Sequence, residues 1–242
     1  MSNGRPRLEA DELAVTRGDK AVLKGLSFAV AAGEVFGLLG GNGVGKSTTL
    51  LSFLGFLDPA GGTVKVNGAP VRDDVIAARR AIAYLPESSS LYGHLNAREN
   101  LRYFLSLAGS DLDDAALEAA LDRVALRGDA RARRLAEYSK GMCQKVAIAL
   151  AILRDSDTLL LDEPTSGLDP TAIDEFHGVV RGLADAGKSV LMVTHDVYGA
   201  CQVADRIGLL RDGRLSGDFS APAGGRIDTE AVHRAFSTPA PA

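Results

Sequence analysis

The residues best suited to chemistry stand together early in the chain, between Gly40 and Thr48. They follow the pattern G-x-x-x-x-G-K-[ST], with Gly40, Gly45, Lys46 and Ser47 in the specified places. Glycines let the backbone curl until successive N–H groups point inward at phosphate oxygens. The lysine adds a point charge for the outer phosphates, and the serine hydroxyl can bind Mg²⁺. The pattern predicts a phosphate-binding loop whose contacting residues are Gly40, Asn42, Gly43, Val44, Gly45, Lys46, Ser47 and Thr48.

Such a loop needs a strand before it and a helix after it. Val35–Leu39 is an apolar run typical of a buried parallel strand. Thr48–Leu54 has a helical pattern, and the dipole of that helix would face the bound anion. A glycine-rich turn could match the loop pattern by accident, but the flanking strand and helix argue against this. The sequence therefore favours a nucleotide-binding site.

Two adjacent carboxylates follow a second apolar strand, Thr158–Leu161. Ligands of parallel sheets gather at the carboxyl ends of the strands. Asp162 is therefore placed to hold Mg²⁺ beside Ser47, and Glu163 could polarise an attacking water as a general base. The alternative is that the two carboxylates merely open a surface turn before Pro164. The phosphate-loop pattern favours the functional interpretation.

The composition bounds the class of protein. Of the 242 residues, 46% are hydrophobic and 24% are charged, as in ordinary soluble globular proteins. The formal net charge of -4 argues against a nucleic-acid-binding surface. Cys143 and Cys201 lack metal-type spacing and suit reduced thiols. We expect no signal peptide, and no apolar stretch approaches the ~20 residues that span a bilayer, so membrane action would require another chain.

Strands and helices alternate along much of the chain, which indicates an α/β fold. Further strands are predicted at Leu8–Arg17, Leu26–Val30, Thr63–Val66, Ile82–Leu85, Ser189–Thr194 and Arg206–Leu210. Helices are predicted from a capping box at Asn96 and Glu99 through Leu107, and at Asp113–Val124, Lys140–Leu153 and Thr171–Ala186. Asp169 and Pro170 form a helix-start signal, and Asp212 with Gly213 predicts a hairpin turn.

Five motifs in a specific order make the chain resemble the nucleotide-binding subunit of an ATP-binding cassette (ABC) transporter over nearly its whole length. Two are the phosphate loop and the Asp162–Glu163 strand. Tyr138–Met142 stands where that family has its signature, usually Leu-Ser-Gly-Gly-Gln. Ser166–Asp169 matches the D-loop of the family, and His195 matches its switch histidine. A generic GTPase or small-molecule kinase would match only the first motif and part of the second.

The resemblance implies a P-loop NTPase core with a mostly parallel sheet, an N-terminal antiparallel β subdomain and a helical insert subdomain. The ABC ATPase domain would cover residues 7–222, with the insert at about 88–153, and 223–242 would form a C-terminal tail with a short helix. ATP and Mg²⁺ are the implied cofactors. Two subunits, an expected homodimer, would pair head to tail on ATP, so that the signature of each faces the phosphate loop of the other.

The same resemblance assigns roles to individual residues. Glu163, His195 and Glu87 would be catalytic, and Ser47, Asp162 and Glu87 would bind the metal. Nucleotide contacts outside the loop would come from Arg17, Ser139, Gly141 and Asp169. On sequence alone, His195 could equally be a capped strand end near Asp196; the order of the motifs favours the catalytic role.

Four positions depart from the family pattern. Arg17 stands where an aromatic residue usually stacks on adenine, which puts base selectivity in doubt. Gly41 stands where proline is commoner in the family, and Lys140 and Met142 replace two residues of the family signature. Glu87 stands where a glutamine usually reaches the metal and the attacking water; glutamate is a good Mg²⁺ ligand, but its charge could change metal affinity.

With the last two departures, in the signature and at Glu87, the chain resembles the ATPases of ABC-2-type exporters. An integral-membrane permease would then contact the segment Ser88–Leu95, through the apolar candidates Leu91, Tyr92 and Leu95. The protein would act at the cytoplasmic face of a bacterial cell membrane, attached through that permease, and without nucleic acid. Two alternatives are a soluble ABC ATPase acting on nucleic acid or the ribosome, and a regulatory nucleotide sensor. The single cassette without sustained heptads argues against the first, and Glu163 with His195 against the second.

Overall fold

Ten strands form two sheets across residues 5–88, 91–222 and 225–238, the part of the chain described by the computed structural model. The strands are β1 (Leu8–Arg17), β2 (Lys20–Val30), β3 (Val35–Leu39), β4 (Gly61–Val66), β5 (Ala69–Pro70), β6 (Ile82–Leu85), β7 (Thr158–Asp162), β8 (Ser189–Thr194), β9 (Arg206–Arg211) and β10 (Arg214–Ser220). The helices are α1 (Lys46–Phe53), α2 (Val75–Ala81), α3 (Ala97–Leu107), α4 (Asp114–Arg123), α5 (Lys140–Leu153), α6 (Pro170–Asp185), α7 (Val197–Val203) and α8 (Thr229–Ser237), with a 3₁₀ turn at Leu135–Glu137.

The smaller sheet is antiparallel, with the order β2-β1-β4-β5. The larger sheet has the order β10-β9-β3-β8-β7-β6; its strands are parallel except β10, which pairs with β9 through the hairpin predicted at Asp212 and Gly213. The predicted fold class, a mostly parallel P-loop core with an antiparallel N-terminal sheet and added helices, is confirmed.

The central strands of the larger sheet are apolar because both of their faces are covered. Every residue of β3, β7 and β8 is buried. Between the two sheets, the rings of Phe28 and Phe36 stack with centroids 5.0 Å apart, and Phe53 of α1 meets Phe28 edge-on at 6.0 Å. The strand before the phosphate loop and the helix after it are thus anchored in one aromatic cluster.

The structure corrects several predicted boundaries. β2 begins at Lys20 rather than Leu26, because hairpin pairing with β1 extends it through Lys24 and Gly25, which interrupt the apolar pattern. The short helices α2 and α7 were not predicted; Asp74 and Asp196 cap them. Helix α1 begins at Lys46, two residues before the predicted start.

Helices α3, α4 and α5 lie between β6 and β7 in the chain, where the helical insert is predicted. The capping box at the start of α3 is present: Glu99 N–H donates to Asn96 Oδ1 at 3.0 Å, and Asn96 N–H donates to Glu99 Oε2 at 2.8 Å. Ser139 caps α5 as predicted. The limits of the insert as a separate unit, about 88–153, stay a prediction.

Within the predicted tail, α8 packs on α7 and buries Val232. Arg211 donates to the carbonyls of Ala235 and Phe236 at 3.0 Å and so closes the end of this helix. Residues 223–224 and 239–242 of that tail lie outside the described part. Among the described residues, no helix combines the length and the apolar character needed to cross a bilayer.

Glu118 of α4 links two helices through ion pairs with Arg98 of α3 and with Arg131, whose Nη1 lies 2.7 Å from Glu118 Oε2. Hydrogen bonds from Arg98 and Arg131 lower the pKa of Glu118 to about 2. Since this pKa lies below that of an unfolded glutamate, the stabilisation is complete above pH 4.5 and is lost as the pH falls toward about 2.

We expect Glu118→Gln to lower the free energy of unfolding at pH 7, because it removes the ion pairs with Arg98 and Arg131. The loss should be about 1 kcal/mol, since solvent screens the partly exposed carboxylate. The deficit should shrink as the pH falls below 4.5, as followed by thermal melting at several pH values. Asp111→Asn serves as the control, since Asp111 is exposed and makes no ion pair among the described residues. A deficit that is the same at pH 7 and pH 3 would contradict the assignment.

Candidate nucleotide-binding site

The predicted phosphate loop runs from the end of β3 to the start of α1. At two of its positions there is no room for a side chain larger than that of glycine. A Cβ on Gly40 would lie 2.7 Å from Val44 Cγ2 and 2.8 Å from the carbonyl oxygen of Leu210. A Cβ on Gly45 would lie 2.6 Å from Leu23 Cδ2, and Gly45 has a φ of +117°. The loop can therefore take this tight curve only with glycine at both positions.

Lys46 lies at the centre of the site and is buried, with 7% of its side chain exposed. Its Nζ donates to the carbonyl oxygens of Gly40 at 2.8 Å and Gly41 at 3.0 Å. The same Nζ lies 3.1 Å from Glu163 Oε1. The ammonium group is thus fixed between the loop and the end of β7, where it can face an anion.

Asp162 stands beside Ser47, as expected from the sequence. Ser47 Oγ donates to Asp162 Oδ1 at 3.3 Å, and the hydroxyl of Tyr84 donates to Asp162 Oδ2 at 3.4 Å. Burial raises the pKa of Asp162 above its ordinary value, against the hydrogen bond from Ser47. Burial, followed by the charge of Asp162, raises the pKa of Tyr84 to about 12.

This pair of oxygens fits Mg²⁺ by its chemistry, because a hydroxyl and a carboxylate are hard ligands. Residues 5–88, 91–222 and 225–238 contain no group of three or more His, Cys, Asp or Glu side chains that could hold a metal alone. Mg²⁺ keeps several waters and commonly takes one or two carboxylates plus substrate phosphates. The donor set therefore suits a metal that arrives with a nucleotide.

Three polar groups at the C-terminal end of β8 hold the Glu163 carboxylate. Its Oε2 accepts hydrogen bonds from Thr194 Oγ1 at 2.9 Å and from the His195 N–H at 3.2 Å, and it lies 2.9 Å from His195 Nδ1. Burial raises its pKa, but His195, Thr194 and Lys46 outweigh burial and leave the pKa below its ordinary value. Glu163 also has a φ of +45°, an unusual conformation for this residue type. The carboxylate is therefore ionised and fixed in orientation.

A groove of about 310 Å³ brings most of the predicted residues together. Its lining comprises Arg17, Val22, Asn42, Gly43, Gly45, Lys46, Ser47, Thr48, Glu87, Asp162 and Glu163. Gly40 and Val44 belong to the same loop, and His195, with 56% of its side chain exposed, reaches the site through Glu163. The structure thus places both unusual residues, Arg17 and Glu87, at the groove.

Ser139, Gly141 and Asp169 do not line this groove; they lie at two other helix starts. Ser139 Oγ accepts from the Met142 N–H at 3.3 Å, and Asp169 Oδ1 accepts from the Ala172 N–H at 3.0 Å. A Cβ on Gly141 would lie 3.2 Å from Ala172 Cβ, so the starts of α5 and α6 are in close contact.

Gln144 adds a second tie between these elements. It lies on α5, is buried, and donates from Nε2 to the carbonyl of Pro164, immediately after Glu163. The start of α5 is therefore joined both to α6 and to the turn that follows the two carboxylates.

Sequence reasoning missed Tyr84 and Thr194 as site residues. Both lie inside predicted strands, and only the register shows that Tyr84 stands opposite Leu160, near Asp162. For Thr194, the available signal was its place directly before His195.

The comparisons agree with this geometry. The family model described as "ABC transporter" matches residues 23–166. Over 198 residues the chain is 39% identical to Nod factor export ATP-binding protein I of Burkholderia orbicola, a match covering 81% of this chain and 65% of that protein. Over 230 residues it is 39% identical to the daunorubicin/doxorubicin resistance ATP-binding protein DrrA of Streptomyces peucetius, covering 92% and 69%. The match covers only 65% of the length of that Nod factor relative, just under two thirds.

Solved structures give the same result. A structure described as the ATP binding subunit of an ABC transporter superposes with a TM-score of 0.78 at 30% identity, covering 97% of this chain and 95% of that one. CbiO1 of Clostridium perfringens, described as part of the ABC transporter complex CbiONQ, superposes with a TM-score of 0.80 at 25% identity, covering 95% and 91%. Sequence, fold and motif order agree, and the chain belongs to the ABC transporter family.

Proposed function

We propose that this protein is the ATP-hydrolysing subunit of an exporter, which dimerises on ATP and drives a separate integral-membrane permease. The observation that carries the proposal is the convergence of Lys46, Ser47, Asp162 and Glu163 in one groove, with the lysine ammonium 3.1 Å from the Glu163 carboxylate. The names of the relatives favour export over the alternative of a soluble ATPase acting on nucleic acid or the ribosome.

In this proposal the phosphate loop binds the triphosphate with its backbone N–H groups, and Lys46 contacts the outer phosphates. Ser47, Asp162 and Glu87 would hold Mg²⁺, which when bound would neutralise charge on the phosphates. Tyr84 acts as a positioning residue, because its hydroxyl donates to the Asp162 oxygen that Ser47 does not contact.

Glu163 acts as the general base on the attacking water. Thr194 and the backbone of His195 hold Oε2, which fixes the carboxylate plane. As the water oxygen bonds to the γ-phosphorus, Glu163 accepts the water's proton and the bond to the ADP oxygen breaks. His195 contacts the γ-phosphate and helps to set the geometry of attack.

A second copy of the chain completes the site. Ser139 and Gly141 at the start of α5, with Asp169 at the start of α6, lie outside the groove of their own chain but at helix N-termini suited to phosphate. We assign them to the nucleotide of the facing subunit. ATP would then hold two identical subunits together, and hydrolysis would release them.

The permease would contact an exposed apolar band that we define as Phe56, Ile76, Tyr92, Tyr103 and Leu107, with exposures of 40–67%. Only Tyr92 was predicted; Leu91 packs partly against the core, and Ser89 and Ser90 of the predicted segment lie outside the described residues.

Ring contacts and shared arginine neighbours link the members of this band. Tyr92 and Tyr103 have ring centroids 5.0 Å apart. Leu107 shares a groove of about 460 Å³ with Arg80 and Arg154, and the Arg79 guanidinium lies 4.2 Å from the Phe56 ring centroid. Ile76 precedes Arg79 and Arg80 by one helical turn. Arginines beside an apolar surface fit a permease segment that is apolar and carries acidic residues or a helix C-terminus.

We expect Lys46→Ala to weaken ATP binding by at least about tenfold, because it removes a charge-assisted contact to phosphate. Titration calorimetry with Mg²⁺ and ATP measures the effect. The control is Lys188→Ala, which removes a surface ion pair with Asp155. Unchanged affinity in Lys46→Ala would contradict the phosphate-loop assignment.

We expect Glu163→Gln to bind ATP but to hydrolyse it about 10²–10⁴-fold more slowly, because the amide cannot accept the water's proton. Dimers should accumulate with ATP, as measured by light scattering after size exclusion. Glu175→Gln on the surface of α6 should turn over normally and stay monomeric. Normal turnover by Glu163→Gln would refute its role as the base.

We expect the double variant Tyr103→Ser, Leu107→Ser to lose copurification with its membrane permease, while its own ATP binding stays unchanged. Tyr198→Ser is the matched control, since Tyr198 is 67% exposed but lies on α7, outside the band. If the double variant copurifies as well as the control, the band is not the docking surface.

A further inference from the structure

Lys140 is a cation at a position where the local chemistry disfavours one. It is the first residue of α5, directly after the capping residue Ser139. A helix N-terminus carries a partial positive charge, so a lysine there is unfavourable unless an acidic side chain offsets it. The first turn of α5 holds no acidic residue, and Lys140 is exposed and takes part in no ion pair among the residues that the structure describes. A residue that breaks a local preference without compensation is expected at a functional site.

The side chain of Lys140 lies against the turn between β7 and α6. A Cβ on Gly167 would lie 3.7 Å from both Cδ and Nζ of Lys140, so the ammonium group stands beside the backbone of this glycine. Gly167 is exposed and has no side chain that could cover the ammonium group. The turn begins directly after Glu163 and ends at Asp169. The lysine charge is therefore placed on the surface that the proposed function assigns to the nucleotide of the facing subunit.

The groove of the facing subunit has an excess of negative charge where it takes the phosphates. Glu87, Asp162 and Glu163 all line the groove, whereas Lys46 is the cation of the phosphate loop. The Lys46 ammonium already lies 3.1 Å from the Glu163 carboxylate. Glu87 adds to the imbalance, because it stands where the family usually has an uncharged glutamine. A triphosphate brings more negative charge than one Mg²⁺ neutralises, so the loaded groove favours a further cation.

We propose that Lys140 of one copy contacts a γ-phosphate oxygen of the ATP bound to the facing copy, and that it offsets there the charge added by Glu87. This inference rests on the proposed function, in which the start of α5 faces the groove of a second copy. An ammonium group beside a phosphate oxygen makes a charge-assisted hydrogen bond, which is stronger where a closed interface excludes water. Lys140 and Glu87 both depart from the family pattern, and together they leave the net charge at the phosphates unchanged.

The contact exists only in the dimer, because Lys140 does not line the groove of its own chain. It therefore strengthens the association of two ATP-loaded copies and leaves the affinity of a single copy for ATP as it is. This separates Lys140 from Lys46, which acts on the nucleotide of its own chain.

The test follows dimer formation by the Glu163→Gln chain, which is expected to hold ATP without turning it over. Light scattering after size exclusion, over a series of protein concentrations, gives the dimer Kd with Mg²⁺ and ATP. Adding Lys140→Gln should raise this Kd at least about tenfold, because each dimer loses two charge-assisted contacts. Lys140→Arg should stay within about threefold of the parent, since a guanidinium also contacts phosphate. Lys145→Gln, on the same helix but paired with Glu175, is the matched control and should match the parent.

The role of Glu87 is tested by adding Lys140→Gln to the double variant Glu163→Gln, Glu87→Gln. The loss of dimer affinity should be at least about threefold smaller there, because the charge that Lys140 offsets is gone. Titration calorimetry at protein concentrations too low for dimers should give the same ATP Kd with and without Lys140→Gln.

Dimers as tight with Lys140→Gln as in the parent would overturn the inference and leave the proposed ATPase function intact. An equal loss with Lys140→Arg would also overturn it, because a merely structural role of the side chain does not depend on its charge. An equal loss in the presence and in the absence of Glu87 would overturn the offset between the two residues. If the Glu163→Gln chain itself forms no dimers with ATP, the dimeric form of the proposed function fails together with this inference.

Discussion

The buried contact between Lys46 and Glu163 is the interaction on which the site depends. The two charges come from different parts of the chain, one from the loop after β3 and the other from the end of β7. Removing one partner of a buried pair commonly costs about 3–5 kcal/mol, because the other charge is left uncompensated. Each charge therefore compensates the other, and the strand order β3-β8-β7 brings them to the same edge of the sheet.

The strand between them, β8, supplies the groups that orient Glu163, so three neighbouring parallel strands each contribute one part of the site. The antiparallel sheet completes it from the side. The phenylalanine cluster joins that sheet to β3 and α1, and the hairpin of β1 and β2 touches the loop directly. The N-terminal sheet is thus part of the binding site.

Much of the site could be predicted because its chemistry is local in sequence. The phosphate loop is one continuous segment, and Asp162 and Glu163 follow a run that can only be a buried strand. Tyr84 and Thr194 could not be assigned in this way, since their contacts depend on the register between strands distant in the chain. The apolar band was largely missed because an exposed Leu107 and a buried Leu105 look alike in a helical pattern. Helices as short as α2 and α7 leave too few turns for periodicity, and their aspartate caps were the available signal.

The close packing of Gly141 on Ala172, with Gln144 bound to the carbonyl of Pro164, has a mechanical consequence. Small side chains at a helix crossing leave no soft layer that could absorb a displacement. The turn behind Glu163 and the start of α5 are therefore rigidly connected. Because α3 packs on α5, the same connected set of contacts runs from the turn after Glu163 to the surface that carries Tyr103 and Leu107.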